Sequence, residues 1–127
     1  MAFKIAVDAG HYINTPGKRV PKELDPAQTR EWTINDRVAR FFAEAAKQYV
    51  GVELLRVDDT TGKTDVTLAD RVRKANNYNA NIYLSVHHNA GINGGRGGGI
   101  VSIAYTTASA KSKGYQKLIY DDLIKHT

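Results

Sequence analysis

Two apolar runs in this sequence end in histidine. The first reads Val7-Asp8-Ala9-Gly10-His11 and the second Leu84-Ser85-Val86-His87-His88-Asn89. Imidazole is a good ligand for zinc, and together with a carboxylate it makes the usual hydrolytic metal site. If the two runs are near neighbours in one sheet, both histidines sit on the same rim. A metal-bound histidine also needs its second ring nitrogen oriented by an acceptor, which Asp8 or a rim carbonyl could provide. The third ligand is expected to be a carboxylate at the same level. Glu31 stands in the first turn of a helical stretch, where a carboxylate suits the helix dipole. The loop before it is long enough to bring it over the rim. Two histidines, one glutamate and a water make an open catalytic zinc site.

Each of these residues also has an ordinary structural role. A histidine after a strand is more often a polar cap than a ligand. A glutamate in a first helical turn is more often there for the dipole alone. Spacing by itself therefore leaves the metal reading weak. His88 is read as a substrate contact or surface group rather than a ligand, and His126 as inert.

The elements that must position these residues alternate. Residues 4–8 form a short β-rich run read as a buried strand. Residues 12–26 hold Pro16, Gly17, Pro21 and Pro26, which is loop chemistry. A helix is predicted over residues 29–49, with Ile34, Val38, Phe41, Phe42, Ala45 and Tyr49 on its apolar face. Gly51 stops it. Residues 52–57 read as the second strand and residues 58–65 as a polar loop. Thr67 is placed to cap a second helix with Leu68, Val72 and Ala75 facing inward, and residues 76–81 break it. Residues 82–86 are the third strand. Residues 91–99 contain six of the eleven glycines. Residues 100–105 read as a fourth strand. Residues 109–126 read as a last helix with Tyr115, Leu118, Ile119 and Leu123 inward. The order predicts one α/β domain over residues 1–127, with a mostly parallel sheet flanked by helices. Such sheets place chemistry beyond the carboxyl ends of their strands.

Composition excludes several classes. The 127 residues carry no cysteine, so disulfide frameworks, thiolate zinc sites and cysteine nucleophiles are out. No stretch approaches the ~18 apolar residues of a membrane span, and no secretory signal is visible at the start. The net charge of +5 suits an acidic partner such as an anionic cell-wall polymer, or simply a solvated basic surface. Basic and aromatic residues are not interleaved in a stripe, and Tyr78 and Tyr83 are explained by folding, so nucleic-acid binding is not expected. A monomer is expected.

At the histidine motifs the sequence resembles the zinc-dependent N-acetylmuramoyl-L-alanine amidases of bacterial autolysins and phage endolysins. The matching pieces come in order. They are residues 7–11, then Glu31-Trp32-Thr33-Ile34-Asn35, then Leu68-Ala69-Asp70-Arg71 with Ala75-Asn76 and Asn79-Ala80. Ser85 to Ala90 follows, and then Gly98-Gly99-Ile100-Val101 with Tyr105. The resemblance implies His11, Glu31 and His87 as zinc ligands, and a fold role for Arg71 and Asn76. It implies hydrolysis of the amide between N-acetylmuramic acid and the L-alanine of a peptidoglycan stem peptide.

One piece of the family pattern has no counterpart. The family continues through a further strand carrying a second glutamate, taken as general base or transition-state stabiliser. The glutamates here are Glu23, Glu31, Glu44 and Glu53. No catalytic residue is assigned, and the chain is expected to be C-terminally truncated. Loss of a general base typically costs ~10²–10⁴ in rate, so metal binding is expected to outlast turnover. The start near Met1 without a signal suggests synthesis in the cytoplasm and endolysin-like release to the wall. The competing readings are a different zinc peptidase acting on stem peptides and a non-catalytic wall-binding module.

Overall fold

The run Phe3–Ala9 forms β1, the central strand of a three-stranded sheet. Its position explains its composition. A strand covered on both faces reads as a near-continuous apolar run; in β1 this run is Ile5, Ala6, Val7 and Ala9, interrupted by the buried Asp8, and Ala6, Val7 and Ala9 are fully buried. The computed structural model describes residues 1–89 and 98–127, so Ala90 and the glycine-rich stretch through residue 97 lie outside the described residues. The chain divides into two compact units, Met1–His88 and Asn89–Thr127.

The first unit holds the sheet, in the order β2-β1-β3, where β2 is Val52–Arg56 and β3 is Ile82–Val86. Both pairings are parallel, as the alternation of strand and helix predicts. Registers pair Val7 with Arg56 and with Leu84, and Ala9 with Val86. The strands therefore end together, and both histidine motifs emerge at the same edge. Asn81 locks the opposite end: its amide donates to the Lys4 carbonyl at 2.7 Å, and its side chain accepts from the Lys4 amide at 2.8 Å.

Helix α1 spans Glu31–Ala46 and α2 spans Leu68–Asn77. Thr67 caps α2 as expected, accepting from the Asp70 amide at 3.1 Å. The buried faces differ from those predicted. In α1 the buried residues are Glu31, Trp32, Asn35, Asp36, Ala39 and Ala46, while Phe41, and Tyr49 beyond the end of the helix, are each 67 % exposed. Two stripes with helical spacing run along this helix. The one turned to the sheet carries alanines where the backbones must approach closely, and polar groups where the site and Arg56 need partners. In α2, Leu68 and Val72 are exposed, and Arg71 and Ala75 take the inward positions. The apolar core under α2 is Ala6, Val57 and Ala75, flanked by Leu55, Ala80 and Tyr83.

In the second unit, α3 spans Ala110–Lys125 and is capped by Ser109, which accepts from the Ser112 amide. Residues 100–105 do not form the predicted fourth strand. Instead the Ser102 carbonyl accepts from Gln116 at 2.7 Å and the Thr106 carbonyl from Lys113 at 3.0 Å. Side chains of α3 thus take acceptors that a strand would offer to a neighbour. No residue of α3 is fully buried; of the inward face expected, Tyr115 and Ile119 are half-buried, while Leu118 and Leu123 are exposed.

Candidate metal centre

The site lies where β1 and β3 end. β1 delivers His11, two residues beyond Ala9, and β3 delivers His87 directly after Val86. Gly10 bonds across the gap, its amide donating to the Val86 carbonyl at 2.8 Å. Glu31 comes from α1, which the loop over residues 12–30 returns to the same edge. That loop is doubled back on itself. Arg19 and Arg30 pair in an antiparallel bridge, the Val20 amide donates to the Thr29 carbonyl, and the Glu31 amide donates to the Lys18 carbonyl at 3.0 Å.

The three side chains converge. Glu31 Oε2 is 3.4 Å from His11 Nε2, and Glu31 Oε1 is 3.3 Å from His87 Nδ1. The two imidazoles meet edge to face, with centroids 4.8 Å apart. One ligand atom from each residue falls within 4.8 Å of the others, and this is the one such His/Cys/Asp/Glu group among the described residues. Ligands about 2.0–2.2 Å from a tetrahedral zinc stand roughly 3.3–3.5 Å apart. The two glutamate–histidine separations match that spacing, each through a different glutamate oxygen, and the three donors as a set close to within 4.8 Å, so the donors fit the ion in type.

Local electrostatics keep the donors ready. Desolvation lowers the pKa of His11, only partly offset by Glu31, while His87, Lys18 and Arg71 lower it further. Desolvation pushes that of Glu31 up, but the amide of His88, the two imidazoles and Asn35 together bring it below the usual glutamate range. Neutral imidazole and ionised carboxylate are the forms a metal takes.

The backbone at His11 is held from two sides. His11 adopts φ of 68°, a left-handed conformation that costs a non-glycine residue about 1–2 kcal/mol. From α2, Arg71 donates to the carbonyls of Ala9 and His11, each at 2.9 Å, and to the buried Asp8 carboxylate at 3.0 Å. Tyr83 donates to the same carboxylate at 2.5 Å, and Ser85 also bonds it. From α1, the fully buried Asn35 donates to the Gly10 carbonyl at 3.1 Å. Three successive carbonyls thus each receive a side-chain hydrogen bond. Asp8 serves this network and not the imidazole nitrogens for which the sequence offered it.

A family model described as N-acetylmuramoyl-L-alanine amidase matches residues 5–127. The chain belongs to that family. It is 30% identical over 122 residues to the sporulation-specific N-acetylmuramoyl-L-alanine amidase of Bacillus subtilis (strain 168), covering 96% of this chain and 44% of that protein. It is 28% identical over 123 residues to N-acetylmuramoyl-L-alanine amidase CwlM of Bacillus licheniformis, with the same two coverages. This family member therefore spans less than half the length of these curated relatives. Among solved structures, the catalytic domain of the amidase CwlV from Bacillus (Paenibacillus) polymyxa var. colistinus is similar at 26% identity with a TM-score of 0.58, covering 71% of this chain and 46% of that one. An N-acetylmuramoyl-L-alanine amidase from Clostridium difficile 630 shares the fold, with a TM-score of 0.77 at 22% identity over 98% of this chain and 63% of that one.

The remaining glutamates stand apart from the cluster. Glu44 pairs with Lys47 on exposed helix surface, and Glu53 lies opposite Lys4 at the far end of the sheet. Glu23 is exposed in the loop. His88 presents its amide to Glu31 at 3.1 Å and its ring Nδ1 to Asn35 Oδ1 at 2.7 Å. Sequence pattern assigns neither Gly10 nor Asn35 a task, though Gly10 lies under the His87 ring and Asn35 bonds the Glu31 side chain. An asparagine one helical turn after Glu31 on the same face was the available signal.

Proposed function

We propose that this chain is a zinc-binding amidase domain whose ligands are His11, Glu31 and His87, and that it acts on peptidoglycan. The reaction is hydrolysis of the amide joining N-acetylmuramic acid to the L-alanine of the stem peptide. The convergence of two imidazoles and one carboxylate at the carboxyl edge of a parallel sheet, in a member of the amidase family, carries this reading. Bound zinc supplies Lewis acidity, which polarises a carbonyl and lowers the pKa of water to about 7. The chain's own residues do the rest. His11 and His87 offer neutral nitrogen donors, and Glu31 offers a carboxylate braced by the His88 amide. Arg71 and Asn35 hold the His11 loop in its left-handed turn. Basic groups of the loop at Arg19 and Arg30, without an ion-pair partner among the described residues, suit an anionic wall.

A second reading keeps the zinc and the wall but lacks turnover. It is favoured by one observation: Glu31 is the only carboxylate in the cluster among the described residues. General acid–base catalysis needs a proton acceptor beside the ligands.

The test measures zinc per chain in protein purified without chelator, beside His87→Ala, and then analyses the products of wall digestion. About one zinc per chain, lost in the variant, is expected for a three-ligand site. Release of intact stem peptides with an L-alanine N-terminus identifies the amidase. Cleavage within the stem identifies a peptidase instead, and wall binding without new amines identifies a binding module. Absence of zinc from a folded chain would sink the metal reading.

A further inference from the structure

We infer that Asn35 is a positioning residue that sets the metal affinity of the centre by tying both histidine-bearing loops to α1. The inference rests on the metal reading given above. Asn35 is fully buried, and its two amide functions face different loops. Its Nδ2 donates to the carbonyl of Gly10, the residue before His11. Its Oδ1 lies 2.7 Å from Nδ1 of His88, the residue after His87. Glu31 stands one turn earlier on the same helix and accepts from the His88 amide at 3.1 Å. One helical turn thus carries one ligand and grips the backbone beside each of the other two.

The chemistry of the amide makes the tie specific. Asparagine supplies a donor and an acceptor at fixed separation on one short side chain. The Gly10 carbonyl needs the donor. The acceptor sets His88 as the Nδ1–H tautomer, so the ring is held by α1. Aspartate offers two acceptors and would face the Gly10 carbonyl with a like dipole. Leucine, of similar size, would leave both partners without a bond. Groups that orient metal ligands from behind typically change metal affinity by roughly 10- to 100-fold when removed. A residue that only fills the core changes the stability of the metal-free chain and leaves affinity alone.

The test compares the zinc dissociation constant, by competition with a chromogenic chelator, and the unfolding midpoint of the metal-free chain. The proteins are the unaltered chain, Asn35→Asp and His88→Phe. His88→Phe keeps a ring at an exposed position and keeps the backbone amide that Glu31 uses, so it cuts only the side-chain half of the tie. Both variants are expected to bind zinc about 10- to 100-fold more weakly, and the metal-free midpoint of His88→Phe is expected to fall only by what the loss of one hydrogen bond to Asn35 Oδ1 costs. Unaltered zinc affinity in folded His88→Phe overturns the inference, whatever Asn35→Asp does. Should Asn35→Asp fail to fold, His88→Phe decides alone. If the unaltered chain takes up no zinc, it is the metal reading that fails, a different result from equal affinities in chain and variants.

Discussion

Gly10→Ala separates the metal centre from the fold more cleanly than removal of any ligand. A Cβ at position 10 would sit 2.2 Å from Cε1, 2.4 Å from Nε2 and 2.5 Å from Nδ1 of His87. Ordinary contact begins at 3.4 Å, so the ring must retreat by about 1.2 Å at its nearest atom, and metal–ligand distances tolerate only about 0.2 Å. The ring can make that retreat cheaply, because the His87 side chain is 43% exposed and opens to water. The Gly10 backbone does not resist either, since it is not among the glycines with positive φ. Replacing such a glycine by alanine can even stabilise by about 0.4–1 kcal/mol through the unfolded chain. The expected outcome is a folded protein with an unfolding midpoint close to that of the unaltered chain. Its zinc affinity should fall by at least ~100-fold, the upper end of what loss of a mere orienting group costs. Chelator competition and urea unfolding on the same preparation check both halves. A folded Gly10→Ala chain that binds zinc as tightly as the original would refute the placement of His87 over Gly10.

Arg71→Leu is expected to destabilise the chain by ~3–5 kcal/mol, the usual cost of removing one partner of a buried charge pair; the lower end applies, because Tyr83 and Ser85 still bond the Asp8 carboxylate. Urea unfolding measures it, and a loss within the range of ordinary surface substitutions, about 0.5 kcal/mol, would contradict the network. Asp59 is held down to about 2, from an ordinary value of 3.8, by the Thr61 amide and hydroxyl and the Thr64 amide. Its folded pKa is depressed, so its contribution is present above 3.8 and is lost as pH falls toward 2. The stability gap between the chain and Asp59→Asn should therefore close across that window in unfolding curves taken at successive pH values. Arg19 and Arg30 face each other across a bridge with no ion-pair partner among the described residues, an arrangement that is unfavourable without a nearby anion. Binding to anionic walls should weaken between about 0.1 M and 1 M salt, as the screening length shrinks from about 10 Å to 3 Å. It should also weaken in Arg19→Ala/Arg30→Ala at low salt, as a sedimentation assay would show, and salt-independent binding would count against a role for charge.

Much of the first unit was legible from local pattern. The three parallel strands, both helices and the Thr67 cap follow from apolar runs, helical spacing and stop residues, and these signals are contained in a few consecutive residues. The helix faces were not legible in the same way. Val38, Phe41 and Phe42 are the bulkier apolar residues of α1 and stand exposed, yet the stripe with Trp32, Asn35, Ala39 and Ala46 is the buried one. Hydrophobicity marks what gains from burial, whereas the gap between helix and sheet decides what fits. The fourth strand failed for a related reason. Residues 100–105 have strand composition, but a strand exists only where a ladder partner accepts it, and here the α3 side chain of Gln116 takes the Ser102 carbonyl, with Lys113 on the Thr106 carbonyl just beyond.

The candidate site divides along the same line. The sequence by itself determined the donor types: two imidazoles at the ends of apolar runs, a carboxylate opening a helix, and no thiolate to compete. Those are properties of single residues and their neighbours along the chain. Only the tertiary structure decided that the three donors meet within 4.8 Å, and that Gly10 must lack a side chain so that His87 can lie over it. It also decided that Asp8 turns to Arg71 and that Asn35 joins two loops. Each of these is a relation between residues tens of positions apart. It is set by strand register and by where a doubled-back loop returns α1, and no local window of sequence contains either.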